Sequence, residues 1–446
     1  MATTTTTTVA LSSPQVVQRP SMLSATKTSE LLQLNHDKYH IFFDNFTKIG
    51  LAMHNHIPHQ VLTLLALGAS AEEIQKGYDA SAAYQRTSGS VDYDAVSQMS
   101  SWQSLQSFYG EDSYYRSYLH FFGQEIEKRG WPSVLQKYLF AGTKESDRFL
   151  ARHFAGVVHP IIHLGFGVEF EAPGVIAEAL AQAAIHDNRH CDAIAQILLS
   201  TDALVKSGSS SSCSSIAELI DEIQCDEKLR DAARPSDINP LLMGTIGRAN
   251  DHMASIAAKF QVLPDSADIE RKTAEMYNAV VYYTAGAQRA DRHVKFDFFY
   301  MHCVNLSLFL EVFRKQEWMT DAQKARLLQW KVSMDLAIYS SRGAPEPQLH
   351  EIRNHKPSKP SGWDGIIQRA IDFHDDCHVV KLIRALIRGQ SICAPYEDCD
   401  DFRIKHNDWL QIGHMVVDSV SIGEPYWIRS AGFDHAWEDV PLRQQL

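Results

Sequence analysis

Four places in the sequence set histidine among apolar residues. They are His56-x-x-His59, His159-x-x-x-His163, His302 within Phe298-Phe299-Tyr300-Met301-His302, and His378, with Lys381 three positions further on. Residues three or four apart on a helix leave it on the same side. The His159/His163 pair is therefore spaced to grip a metal. A single buried histidine is more often a hydrogen-bonded core residue than a ligand. Four such places among 21 histidines shift the balance toward a shared metal. Donors dominated by imidazole suit zinc, iron, copper or nickel. His374-x-Asp376 and His190-x-Asp192 match the H-x-D half of an iron facial triad, but on a helix positions i and i+2 point to different faces, so both are set aside. Lys381 requires its own explanation. A neutral amine takes up carbon dioxide to give a carbamate, which binds metal as a carboxylate does; the plainer reading is a lysine that snorkels or pairs with Glu169. His186 and His190 flank a polar Asp187-Asn188-Arg189 and read as a solvated helix end.

The elements that must position these side chains read as helices. Residues 373–386 form one, with Ile371, Val379, Leu382, Ile383 and Leu386 as an apolar face into which His378 and Lys381 also point. The run after His56 opens on Pro58 and closes near Gly68, as helix ends do. Residues 173–186 form an Ala-rich helix, and 296–314 form one apolar nearly all round and hence buried. Strand-like alternation is scarce and no βαβ rhythm appears. The expected class is all-α, a single large helical domain whose buried central helices carry the histidine-rich metal site. Residues 1–30 are expected to be a disordered arm, 31–446 the helical domain, and 206–215 a Ser-rich surface loop within it.

Composition excludes several classes. A formal charge of −12 disfavours nucleic acid or an acidic membrane surface as partner. No apolar run approaches the roughly 20 residues of a membrane span. The Thr-rich start lacks the basic and apolar regions of a signal peptide, and seven scattered cysteines point to reduced thiols, so a cytoplasmic location is expected. Gly165-x-Gly167 lacks the third glycine and the strand context of a dinucleotide fingerprint. No Walker loop, G-x-S-x-G elbow or H-E-x-x-H is present. Any reducing power is expected from a separate protein.

Taken in order, four segments resemble the questin oxidase-like family, fungal enzymes of aromatic polyketide pathways. They are His56-Ile57-Pro58-His59-Gln60-Val61-Leu62, His159-Pro160-Ile161-Ile162-His163-Leu164-Gly165-Phe166, Asp297-Phe298-Phe299-Tyr300-Met301-His302 and His378-Val379-Val380-Lys381. The resemblance implies oxidative opening of an anthraquinone ring with dioxygen. Members have been described as Baeyer–Villiger-type oxygenases and, in one branch, as non-haem iron dioxygenases. That branch implies Fe(II) held by His59, His163, His302, His378 and a carboxylated Lys381, these five being the catalytic set. His56 and His159 match the same motifs and stand as alternates for a neighbour. A partner NADPH-dependent reductase is implied as well. Phe166, Phe298, Phe299 and Tyr300 are candidates to line a flat aromatic pocket, and Glu169 or Asp297 to orient a ligand imidazole. The competing readings are a metal-dependent hydrolase with a carboxylated lysine, and a helical scaffold with a hydrogen-bonded histidine core.

Overall fold

The computed structural model describes residues 17–43, 53–208 and 213–443. The all-α expectation holds. The structure is 67% helical, and among the described residues the one sheet pairs Phe296–Asp297 with Trp427–Ile428 in parallel. Contacts group the chain into two compact units. The first takes residues up to Ala195 with Lys315–Met319 and His374–Lys381; the second takes Gln196–Arg314, Thr320–Phe373 and Leu382–Leu446.

In the first unit the Ile57–Ala66 helix is buried at every position. Its ends are those read from the sequence. Pro58 lies in the first turn, where a missing N–H leaves no bond unmade. At the other end Gly68 takes φ +83°; its N–H reaches the Leu65 carbonyl at 3.1 Å, and the Ala69 N–H reaches Leu64 at 3.0 Å. These two bonds satisfy carbonyls that the helix leaves open, and only a residue at ease with positive φ closes them without strain. The helices Ala155–Glu169 and Pro173–Ile185 are likewise almost wholly buried.

Residues 22–30, within the stretch expected as a disordered arm, form the first half of the Met22–Lys38 helix. The Ser21 hydroxyl caps its first turn by accepting from the Ser24 N–H, and Ser24, Ala25 and Thr28 are buried. The arm's residues 1–16 and positions 209–212 of the Ser-rich loop lie outside the described residues.

The second unit is built on the long helices Ser266–Gly286, Phe298–Arg314 and Asp321–Ser341, with His406–Ser421 packed on Trp363–Ile371. Asp297 begins the helix that carries His302. Its Oδ1 accepts from the Phe299 and Tyr300 amides and its Oδ2 from the Ala431 amide. Asp297 thus caps this helix, with backbone N–H groups on both of its oxygens. Among the described residues no helix is long and apolar enough to cross a membrane.

One buried carboxylate ties three segments of this unit. Asp418 accepts from His355 Nε2 (3.0 Å), the Ser358 amide (3.0 Å) and hydroxyl (2.5 Å), and Arg369 Nη2 (2.8 Å). Burial pushes its pKa up, but the hydrogen bonds from His355, Ser358 and Arg369 outweigh that and hold it well below the usual carboxylate range. Asp418→Ala is expected to lower the unfolding free energy by about 3 kcal/mol at neutral pH, measured by urea unfolding. The depressed folded pKa means this contribution is complete above the unfolded value of about 4 and fades as pH falls through it. The gap between wild type and variant should therefore narrow in acid.

Candidate metal centre

Among the ten histidines buried in the described residues of the first unit are His36, His54, His56, His59, His159, His163 and His186. Three pairs bring ring nitrogens together. His59 Nε2 lies 3.2 Å from His163 Nδ1, His56 Nε2 lies 2.8 Å from His159 Nε2, and His54 Nε2 lies 3.1 Å from His186 Nε2. The His54 ring also stacks on His159, with centroids 3.9 Å apart. His378 stands edge-on to His56 at 5.0 Å between centroids.

Local backbone geometry explains these positions. Gly156, Val157 and Val158 take left-handed φ of 55°, 56° and 57°, so regular helix begins only at His159. Positive φ at two β-branched residues is strained. The turn also places the Gly156 carbonyl 2.6 Å from His159 Nδ1. The helix expected over 373–386 begins instead at His378, because Asp376 and Cys377 take φ of 62° and 66°. The Asp375 carboxylate accepts from the Val379 N–H in its first turn.

That late start corrects the dismissal of Asp376. The objection to H-x-D rested on a helix, and Asp376 is not in one. Its Oδ2 lies 2.6 Å from His56 Nδ1, and its Oδ1 accepts from the Tyr84 hydroxyl. His56, Asp376 and His378 offer ligand atoms all within 4.8 Å of one another. The true companions of Asp376 are thus His56 and His378, while His374 is exposed. His186 is a second correction. It follows the Pro173–Ile185 helix with extended backbone, φ −62° and ψ 147°, and it is 3% exposed where a solvated end was expected.

Hydrogen-bond direction assigns the ring protons. The Gly156 carbonyl only accepts, so His159 carries its proton on Nδ1 and presents a lone pair at Nε2. His56 must then donate from Nε2, which leaves its Nδ1 bare toward Asp376. The proton in that 2.6 Å contact belongs to a protonated Asp376 or to an imidazolium. Burial pushes the Asp376 carboxyl up to about 7, against the pull of Tyr84 and Lys381, which favours the former. Burial and then Lys381 hold His56 and His59 well below the usual imidazole range; burial and then His159 do the same for His54. These rings are neutral, the form in which imidazole binds metal.

Of the five residues named as the catalytic set, His59, His163, His378 and Lys381 lie in the first unit and His302 in the second. The His302 ring is buried, with Nδ1 donating to the Phe298 carbonyl at 2.6 Å. Phe166 stacks on His59 at 4.9 Å. Phe298 and Phe299 instead carry the guanidinium groups of Arg429 and Arg342 over their faces.

The donors suit a divalent transition metal. His59 Nδ1 is buried with no hydrogen-bond partner, and the buried Lys381 Nζ meets the Cys377 thiol, a weak acceptor. Buried polar atoms left this way are costly. Imidazoles with one carboxylate are a donor set that iron accepts.

A sequence profile of the questin oxidase-like family matches residues 53–386, a span that holds every donor just described except His36. The chain is 37% identical to a Baeyer-Villiger monooxygenase of Cryptosporiopsis sp., with 94% of each chain covered. It is 39% identical to a Baeyer-Villiger oxidase of Pestalotiopsis microspora, and 37% identical to a questin oxidase of Aspergillus fumigatus, each alignment covering 93% of both chains. The chain belongs to the questin oxidase-like family, and it is an oxidoreductase.

Gly156 tests how tightly the array is built. A Cβ there would sit 2.3 Å from His186 Cε1 and 2.9 Å from His54 Nε2, at φ +55°. Gly156→Ala is expected to destabilise the protein by about 2 kcal/mol, through strain and displaced imidazoles, read as a lowered melting temperature.

Proposed function

We propose that the chain is a non-haem iron-dependent oxygenase that breaks a ring C–C bond of an anthraquinone, in the manner of the questin oxidases it resembles. The observation that carries this reading is the buried cluster of neutral imidazoles around Lys381. His59, His163, His378 and a carboxylated Lys381 hold the metal; His302 is the fifth residue of the set that the family resemblance implies. His56 and Asp376 are the donors added by geometry. Iron bound there supplies the activation of dioxygen.

The chain's own residues set the conditions for that chemistry. Burial keeps the ring lone pairs unprotonated, and Phe166 covers one face of His59, keeping water from it. A carbamate on Lys381 replaces a buried amine that meets only a weak thiol acceptor with an anionic oxygen donor. Asp376 and His56 share one proton, and they become donors to the metal only once that proton is released.

The balance of the reaction fixes what else is required. Opening an anthraquinone to a benzophenone carboxylic acid takes one dioxygen, two electrons and two protons. A quinol substrate brings the electrons and protons, and a partner NADPH-dependent reductase forms it from the quinone. The relatives named Baeyer-Villiger oxidases favour a second reading with the same overall balance. In that case NADPH serves the oxygenation, one oxygen atom enters a lactone, the other leaves as water, and water then opens the lactone.

Labelled dioxygen separates the two. The iron reading expects both heavy atoms in the ring-opened acid by mass spectrometry, and a single label supports the lactone route. Purified protein is expected to hold about one iron per chain, and Lys381→Ala to lower that occupancy by about tenfold or more. Zinc in its place would favour a hydrolase. Absence of metal, with full activity, would sink the iron reading.

A further inference from the structure

Glu178 belongs to none of the motifs considered above, yet it is 1% exposed and faces two of the histidines. Its Oε2 lies 3.0 Å from His163 Nε2 and its Oε1 lies 2.7 Å from His36 Nδ1. A carboxylate oxygen accepts, so His163 carries its proton on Nε2 and its Nδ1 is a lone pair. That lone pair faces His59 Nε2 at 3.2 Å. With His59 donating across this gap, its Nδ1 in turn is bare, and this is the buried atom with no hydrogen-bond partner. A single carboxylate thus fixes which nitrogen is bare on two rings in succession.

We infer that Glu178 is a positioning residue for the metal centre: it selects the His163 tautomer and, through His163, the lone pair that His59 presents. His163 can use its Nδ1 to bind metal or to hold His59, and either use requires the proton to stay on Nε2. His36 holds the second oxygen of Glu178 and keeps the carboxylate aimed at His163. The Met22–Lys38 helix, which carries His36, therefore takes part in shaping the site. The inference rests on the metal reading of the preceding section. Carboxylate partners of this kind alter metal affinity by about 10- to 100-fold when removed.

The test is a titration of metal-free protein with Co(II), read from the d–d absorption bands of the bound ion. Glu178→Leu removes the acceptor and is expected to bind Co(II) about 10- to 100-fold more weakly than wild type, with shifted bands. Glu178→Gln keeps the shape and one acceptor oxygen and should fall between the two. Should Glu178→Leu fail to fold, Glu178→Gln carries the test. Uptake weakened by about threefold or more, at a melting temperature within a few degrees of wild type, supports the inference. Uptake by the folded variant equal to that of wild type overturns it and leaves the metal reading intact. No uptake by wild type overturns both.

Discussion

A neutral imidazole buried away from water has one N–H and one lone pair, and each must meet its complement. That constraint governs the first unit. Its buried histidines do not all pack as apolar rings; four of them form directed chains. One runs from the Gly156 carbonyl through His159 and His56 to Asp376, the other from Glu178 through His163 to His59. Each starts at a group that only accepts, so the ring protons are set from one end. The chains finish at the two places where something further is required, a proton at Asp376 and a partner for His59 Nδ1.

The backbone is shaped to serve these chains. His56 precedes the Ile57–Ala66 helix as its cap, His159 opens the regular part of its helix, and His378 is the first residue of another. Helix N-termini carry partial positive charge, which disfavours imidazolium and favours an anionic ligand nearby. Two of the three starts are made by left-handed turns, at 156–158 and at 376–377. Strain of this kind persists where the surrounding structure over-determines it, and here it aims the Gly156 carbonyl and the Asp376 carboxylate.

Family membership and chemistry join at this array. On the iron reading proposed above, the metal is held away from water, and the cluster provides donors, burial and a face covered by Phe166. Lys381 is the residue whose burial makes least sense without added chemistry. An amine with no oxygen or nitrogen partner, beside a thiol and several imidazoles, is a poor resting state for a cation. On the proposed reading, a carbamate turns the same residue into a donor.

The sequence by itself determined the helical class, the ends of the Ile57–Ala66 helix and the spacing of the histidine pairs, because these depend on neighbours within a few residues. His59, His163, His378 and Lys381 stand out in the sequence for the same reason: each breaks a local apolar pattern. Tertiary structure alone decided which residues meet. His56 finds His159 across 103 residues, Glu178 finds His36 across 142, and Asp376 finds His56 across 320. No periodicity carries information over such separations. Asp376 was hidden further by backbone conformation, since a left-handed pair of residues looks like helix in a hydrophobicity pattern. Glu178 was hidden because one acid in an Ala-rich helix reads as a polar face until packing buries it against two imidazoles.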